Sequence, residues 1–86
     1  MKVVKYTVVE TPSFILTIRR VQCEKDDNSE ERKFKITYDI SIYNRHTEKH
    51  LSEPFHKRED AIGEWIRLLR LHTNMTKTEI LRGLWK

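Results

Sequence analysis

Scarcity sets the first bounds on this chain. It has one cysteine, Cys23, which excludes an internal disulfide framework. Its two glycines, Gly63 and Gly83, leave no glycine-rich loop to cradle a phosphate, and there is no P-loop. No apolar run approaches the roughly 18 residues that mark a membrane-spanning helix. The opening MKVVKYTVVE has polar residues interspersed and no small-residue cleavage site, so it does not read as a signal peptide. Internal repeats and low-complexity segments are lacking too. Together these absences lead us to expect a cytoplasmic protein with no membrane partner.

The chain is short. Its 86 residues make one domain, residues 1–86. A chain of this size buries only about 60–65% of the surface that its unfolded form exposes. The core is therefore thin, and a sheet needs at least one covering helix to complete it. Apolar residues at 37% and charged residues at 35% give an ordinary folded composition on the polar side. The formal charge of +4, from 17 basic and 13 acidic residues, is mild. It fits solubility, and also a nucleic acid or an acidic protein partner.

The clearest signal is KFKITYDISIY, Lys33 to Tyr43. Phe34, Ile36, Tyr38, Ile40 and Ile42 alternate with Lys33, Lys35, Thr37, Asp39, Ser41 and Tyr43. A strict period of two puts one set on each face of a strand, one apolar and one wet. That is the pattern of a central antiparallel strand. Val3 to Val9 reads as a first strand with valines on both faces, so period alone does not assign its sides. Glu10 to Ser13 is a turn around Pro12. Ser13 to Gln22 reads as a second strand, with Phe14, Leu16 and Ile18 facing the core. Arg20 continues that face beyond the core, and Ile15, Thr17, Arg19 and Val21 face the other way. Cys23 to Arg32, CEKDDNSEER, is charged and aperiodic and reads as a loop. Lys49 to Phe55 is a short fourth strand, with Leu51 and Phe55 inward and Pro54 marking a sheet edge.

Helical spacing then takes over. From Lys57 to Leu71, residues Ala61, Ile62, Trp65, Ile66, Leu68 and Leu69 fall within an arc of roughly 160°. Glu59 and Asp60 suit the positive end of such a helix, and Arg70 and His72 its negative end. Gly63 lies on the polar face. Thr76 and Glu79 have the spacing of a capping box, opening a second short helix with Ile80, Leu81, Leu84 and Trp85. The resulting expectation is an α+β fold, a four-stranded antiparallel meander sheet with two C-terminal helices packed on one face.

Chemistry is sparse. His46, His50 and His56 with Cys23 match no standard zinc spacing. Asp26, Asp27, Asn28 and Glu30 fail the EF-hand pattern and lack its glycine. Cys23 has no marked base partner. The Glu59-Asp60 and Glu30-Glu31 pairs sit where acidic residues are expected anyway. We therefore expect no enzyme, no cofactor and no metal. Two binding modes remain. Lys5, Arg19, Lys33, Lys35 and Tyr43 on the wet face would suit phosphates and stacked bases, as would a helical strip of Arg67, Arg70, Lys77 and Arg82. Protein binding needs fewer special residues, and tyrosine and arginine are enriched at hot spots.

MKVVKY, a second strand starting near Phe14, KFK opening a later strand, and FHKREDAIGEWIRLL resemble small phage anti-CRISPR proteins. The similar type is the first-described inhibitor of the type I-F surveillance complex. The resemblance implies an antiparallel sheet with two helices on one side. It also implies binding through the sheet to a backbone subunit, which blocks access of target DNA. Tyr6 falls on a contact position of that family, and Arg20 stands where the family has an aromatic contact. Glu31 lies in a longer, more charged loop, and the basic balance departs from inhibitors that act by charge mimicry.

The expectation is a non-catalytic binding protein of phage or mobile-element type that occludes a host protein or ribonucleoprotein complex. Tyr6, Arg19, Arg20, Lys35 and Tyr43 are the expected contacts on the outer sheet. The alternatives are a nucleic-acid-binding accessory protein and a subunit that dimerises through a sheet edge, so the expected state is a monomer or weak dimer.

Overall fold

The structure, a computed structural model, describes residues 2–24 and 34–85. Four strands, β1 (Lys2–Glu10), β2 (Phe14–Glu24), β3 (Phe34–Asn44) and β4 (His50–Phe55), precede two helices, α1 (Arg58–His72) and α2 (Lys77–Gly83). The sheet order is β1-β2-β3-β4, with every neighbour antiparallel. The α+β meander with two C-terminal helices is the observed architecture. The Cys23–Arg32 loop, the acidic residues expected in it and Lys33 fall largely or wholly outside the described residues.

Register explains the two faces. Leu16 pairs with Ile42, Ile18 with Ile40 and Arg20 with Tyr38, so the even residues of β2 and β3 share one side of the sheet. Thr7 pairs with Ile18 and Val9 with Leu16, which puts Thr7 and Val9 on that side too. Tyr6 and Val8, opposite Arg19 and Thr17, go to the other. Period alone left β1 unassigned, and its register with β2 settles the matter. The register slips between Val3 and Lys5, where Val4 is the extra residue of a bulge.

Short-range chemistry closes the turns. The Thr11 hydroxyl accepts the Phe14 N–H at 2.9 Å, and the Thr11 N–H donates to the Phe14 carbonyl at 2.8 Å. Between β3 and β4, Asn44 Oδ1 accepts the N–H groups of His46 and Thr47. Glu48 there adopts a left-handed φ of 59°. The polar turn after Tyr43 is thus an Asx-type cap on the hairpin.

The helices cover the even side. Ala61, Trp65 and Leu69 of α1, spaced four apart, are buried together with Leu16, Ile18, Tyr38, Ile40 and Ile80. Ile62, Ile66 and Leu68 flank this row and are only half-buried, so the buried stripe is narrower than the expected arc. In α2 the capping box forms as its spacing predicts. The Thr76 hydroxyl accepts the Glu79 N–H at 3.2 Å, and Glu79 Oε1 accepts the Thr76 N–H at 3.1 Å. Those bonds hold the Glu79 carboxyl below its ordinary range, the backbone N–H of Thr76 contributing most and its hydroxyl next. The chain then turns back on the sheet. The Trp85 N–H donates to Thr7 Oγ1 on β1 at 2.7 Å, and the ring lies 6.4 Å from that of Tyr38.

One inward position is not covered. Leu51 faces the helix side but is 70% exposed. An open groove of about 390 Å³ separates it from Glu64, Arg67 and Leu68 of α1. Gly63, on the outer side of α1, has nothing within 4 Å of where a Cβ would stand, so it is a surface glycine in open space.

Candidate binding surface on the open sheet face

The odd residues of β2 and β3, with Tyr6, Val8 and Glu10 of β1, form the opposite face. Val21 is the one buried core residue on this face; the core cluster under the helices, and the partly buried side chains packed on it, lie on the other. Among the described residues neither helix reaches it.

Its central row crosses the whole sheet. Tyr6 stands opposite Arg19, Arg19 opposite Asp39, and Asp39 opposite Pro54. Arg19 donates a charge-assisted hydrogen bond to Asp39 Oδ2, and Asp39 Oδ1 accepts the Ser52 hydroxyl at 3.2 Å. The pair is partly shielded, with side chains 38% and 24% exposed. Asp39 thereby anchors Arg19 and neutralises the centre of the face. Tyr6 is 61% exposed at the rim of this row.

An apolar margin runs beside it. Val3 and Val8 of β1 are exposed on it, and Val4, the bulge residue between Val3 and Lys5, is exposed too. Val21, opposite Val3 and Thr37, is only 3% exposed although no helix lies over it. The sequence reading missed this margin. Its signal was the run of valines in β1, which only the β1–β2 register assigns to a side.

The expected contact residues separate. Tyr6 and Arg19 are adjacent. Lys35 lies opposite Cys23 toward one end of β3, and Tyr43, half-buried between Ile15 and His50, lies toward the other. All four share the open face. Arg20 does not, and its expected place on the outer sheet is corrected here. It follows Arg19 in a strand, so it points to the helix side, opposite Lys5 and Tyr38. Its Nε is buried with no hydrogen-bond partner among the described residues. Lys5 is corrected on the same ground, since it faces the helix side and does not join a basic patch with Arg19.

The other candidates take their places without converging. Among the described residues no three His, Cys, Asp or Glu side chains come together as a metal site. His46 Nε2 lies 3.2 Å from Ser13 Oγ. On α1, Arg67 donates to both carboxylate oxygens of Glu64, which keeps the Glu64 carboxyl below its ordinary range. This fork ties up one member of the expected basic strip. No helix among the described residues is long and apolar enough to cross a membrane. Compared with known proteins, the chain matches no family model, no curated protein and no solved structure.

Proposed function

We propose that this chain is a non-catalytic binding protein that acts by laying the open face of its sheet over a partner protein and occluding it. One observation carries this reading. The helices and the core occupy one side of the sheet, and the other side presents exposed Tyr6 beside the Arg19–Asp39 pair. A pre-ordered sheet needs little reorganisation on binding, and an arginine already held by a carboxylate loses less rotamer freedom at an interface. The apolar β1 margin adds surface that gains from burial. The resemblance to type I-F inhibitors, which use their sheet in this way, supports a ribonucleoprotein complex as the partner class and a phage source.

Nucleic acid is the weaker reading. Lys5 and Arg20 face the helices, and Arg19 is neutralised by Asp39. Among the described residues, this leaves Lys35 as the cation that the open face presents beyond that pair.

The test is direct binding to a purified type I-F surveillance complex. The expected result is a stable complex that no longer captures target DNA. Tyr6→Ala should weaken it about thirtyfold, the loss of a hot spot of about 2 kcal/mol, with the melting temperature unchanged. Absence of binding removes the inhibitor reading, and binding indifferent to Tyr6→Ala removes the site. A steeply salt-dependent shift of DNA or RNA probes would favour the nucleic-acid reading instead.

A further inference from the structure

We propose that β1 is a docking edge for a second copy of this chain. The two β1 strands pair antiparallel about a two-fold axis at Val8, joining two four-stranded sheets into one. This goes beyond the reading of the open face and does not depend on it.

The two sheet edges differ in chemistry. β4 is six residues long and contains Pro54, which cannot donate to a new strand. β1 is nine residues long, has neither proline nor glycine, and is rich in valine and other good strand formers. Long, exposed, apolar edges are templates for further pairing.

Hydrogen-bond phase gives the register. The Thr11 N–H to Phe14 carbonyl bond makes Thr11–Phe14 a bonded pair at the hairpin end. Bonded and non-bonded pairs alternate along an antiparallel ladder. Val9–Leu16, Thr7–Ile18 and Lys5–Arg20 are therefore bonded pairs. Tyr6, Val8 and Glu10 then turn their backbone N–H and C=O groups away from β2. No backbone bond from another described segment takes those groups. The bulge at Val4 ends the regular run.

Self-pairing must match outward residues with outward residues and keep the faces aligned. With the axis at Val8, Val8 meets Val8 of the second copy, and Tyr6 meets Glu10 of the second copy. Every outward group of the regular run then finds a partner. Moving the axis to Thr7 or Tyr6 carries Glu10 onto or past the bulge and loses bonds. In the Val8 register no like charges face each other, because Lys5 falls opposite Thr11. This self-complementarity of phase, face and charge is what selects a second copy as the occupant.

The experiment is sedimentation equilibrium of the full chain over a dilution series, with amide hydrogen exchange on the same samples. The mass should rise from the 10.5 kDa monomer to twice that value. The amides of Tyr6, Val8 and Glu10 should gain protection in step, while those of Thr7 and Val9 are protected at every concentration. Val8→Lys sets like charges against each other at the axis and should raise the dimer dissociation constant about tenfold. Glu53→Lys on β4, exposed and outside the open face, should leave it unchanged. A chain that stays monomeric throughout overturns the proposal. So does a dimer whose Tyr6, Val8 and Glu10 amides stay unprotected, which needs no variant to detect. Protection of those amides only on addition of another protein also overturns it, in favour of a foreign strand.

Discussion

The two faces of this sheet are built by the same strands with the same alternation, yet they have different tasks. On the helix side, Leu16, Ile18, Tyr38 and Ile40 are sealed by Trp65, Leu69 and Ile80. On the open side the same strands carry Arg19, Asp39, Thr17 and Ser41, joined by an ion pair and flanked by the β1 valines. Burial is the dominant favourable term in folding, so stability resides on the first side. The second side buries Val21 alone among the described residues, and the rest of it is half-buried or exposed. Among the described residues the helices cover one face, and the uncovered one is the surface we propose for recognition.

The sharpest way to break this division is a pair of aromatic truncations. Trp65 is fully buried at the centre of the helix–sheet interface. Trp65→Ala should cost about 3–5 kcal/mol, a large share of the about 5–15 kcal/mol that holds a domain folded. Tyr6→Ala, on the open face, should change stability by no more than about 0.5 kcal/mol. Urea denaturation of both variants decides it, and comparable losses would mean that the open face carries structure rather than recognition.

Much of this division was legible beforehand, and the failures have physical causes. The alternation of Phe34 to Tyr43 gave both faces of β3, and the Thr76–Glu79 spacing gave the capping box. What escaped was anything that depends on how strands register. Valines on both sides of β1 left its orientation open until pairing with β2 assigned it, and a bulge such as that at Val4 has no period to announce it. The Arg19–Asp39 pair escaped as well, because its two members are 20 residues apart and meet only through the β2–β3 register. Leu51 was expected inside, but a helix's path across a sheet is not encoded in its own periodicity, and α1 leaves that leucine open.

A second prediction concerns the edge of the covered side, where α2 is held by its cap. Thr76→Ala should cost about 1 kcal/mol, read as a lower melting temperature at neutral pH. The pH dependence has a definite sign. The Glu79 carboxyl titrates below its ordinary value of 4.5 in the folded chain. The folded state therefore binds fewer protons than the unfolded state in that window, and stability falls as pH falls. The contribution is fully present above pH 4.5 and is lost as pH drops through the folded value. Glu64, lowered chiefly by its hydrogen bond to Arg67, adds a loss of the same sign in the same window. Wild type should lose more stability than Glu79→Gln on acidification below 4.5. Parallel curves would show that the carboxylate plays no part in the cap.

The smallest expected effects test the comparison most finely, because they set two neighbouring arginines against each other. Arg19 and Arg20 differ by one position and so point to opposite faces. Arg19 is held by Asp39 in a partly exposed pair, a type of interaction worth about 0–1 kcal/mol. Arg20 keeps a buried Nε without a partner among the described residues, so that nitrogen is unsatisfied where it lies. Replacing such a group with an apolar side chain of similar length removes the desolvation penalty along with the charge. Arg20→Met should therefore leave stability unchanged or raise it by up to about 1 kcal/mol, with no effect on partner binding. Arg19→Met should lower stability by less than about 1 kcal/mol but weaken binding, since it strips the row beside Tyr6 and leaves Asp39 uncompensated on the contact face. Thermal melts and partner titrations of both variants separate the cases. If Arg20→Met weakens binding while Arg19→Met does not, recognition resides on the helix side near Tyr38 and Trp85, and the roles of the two faces are reversed.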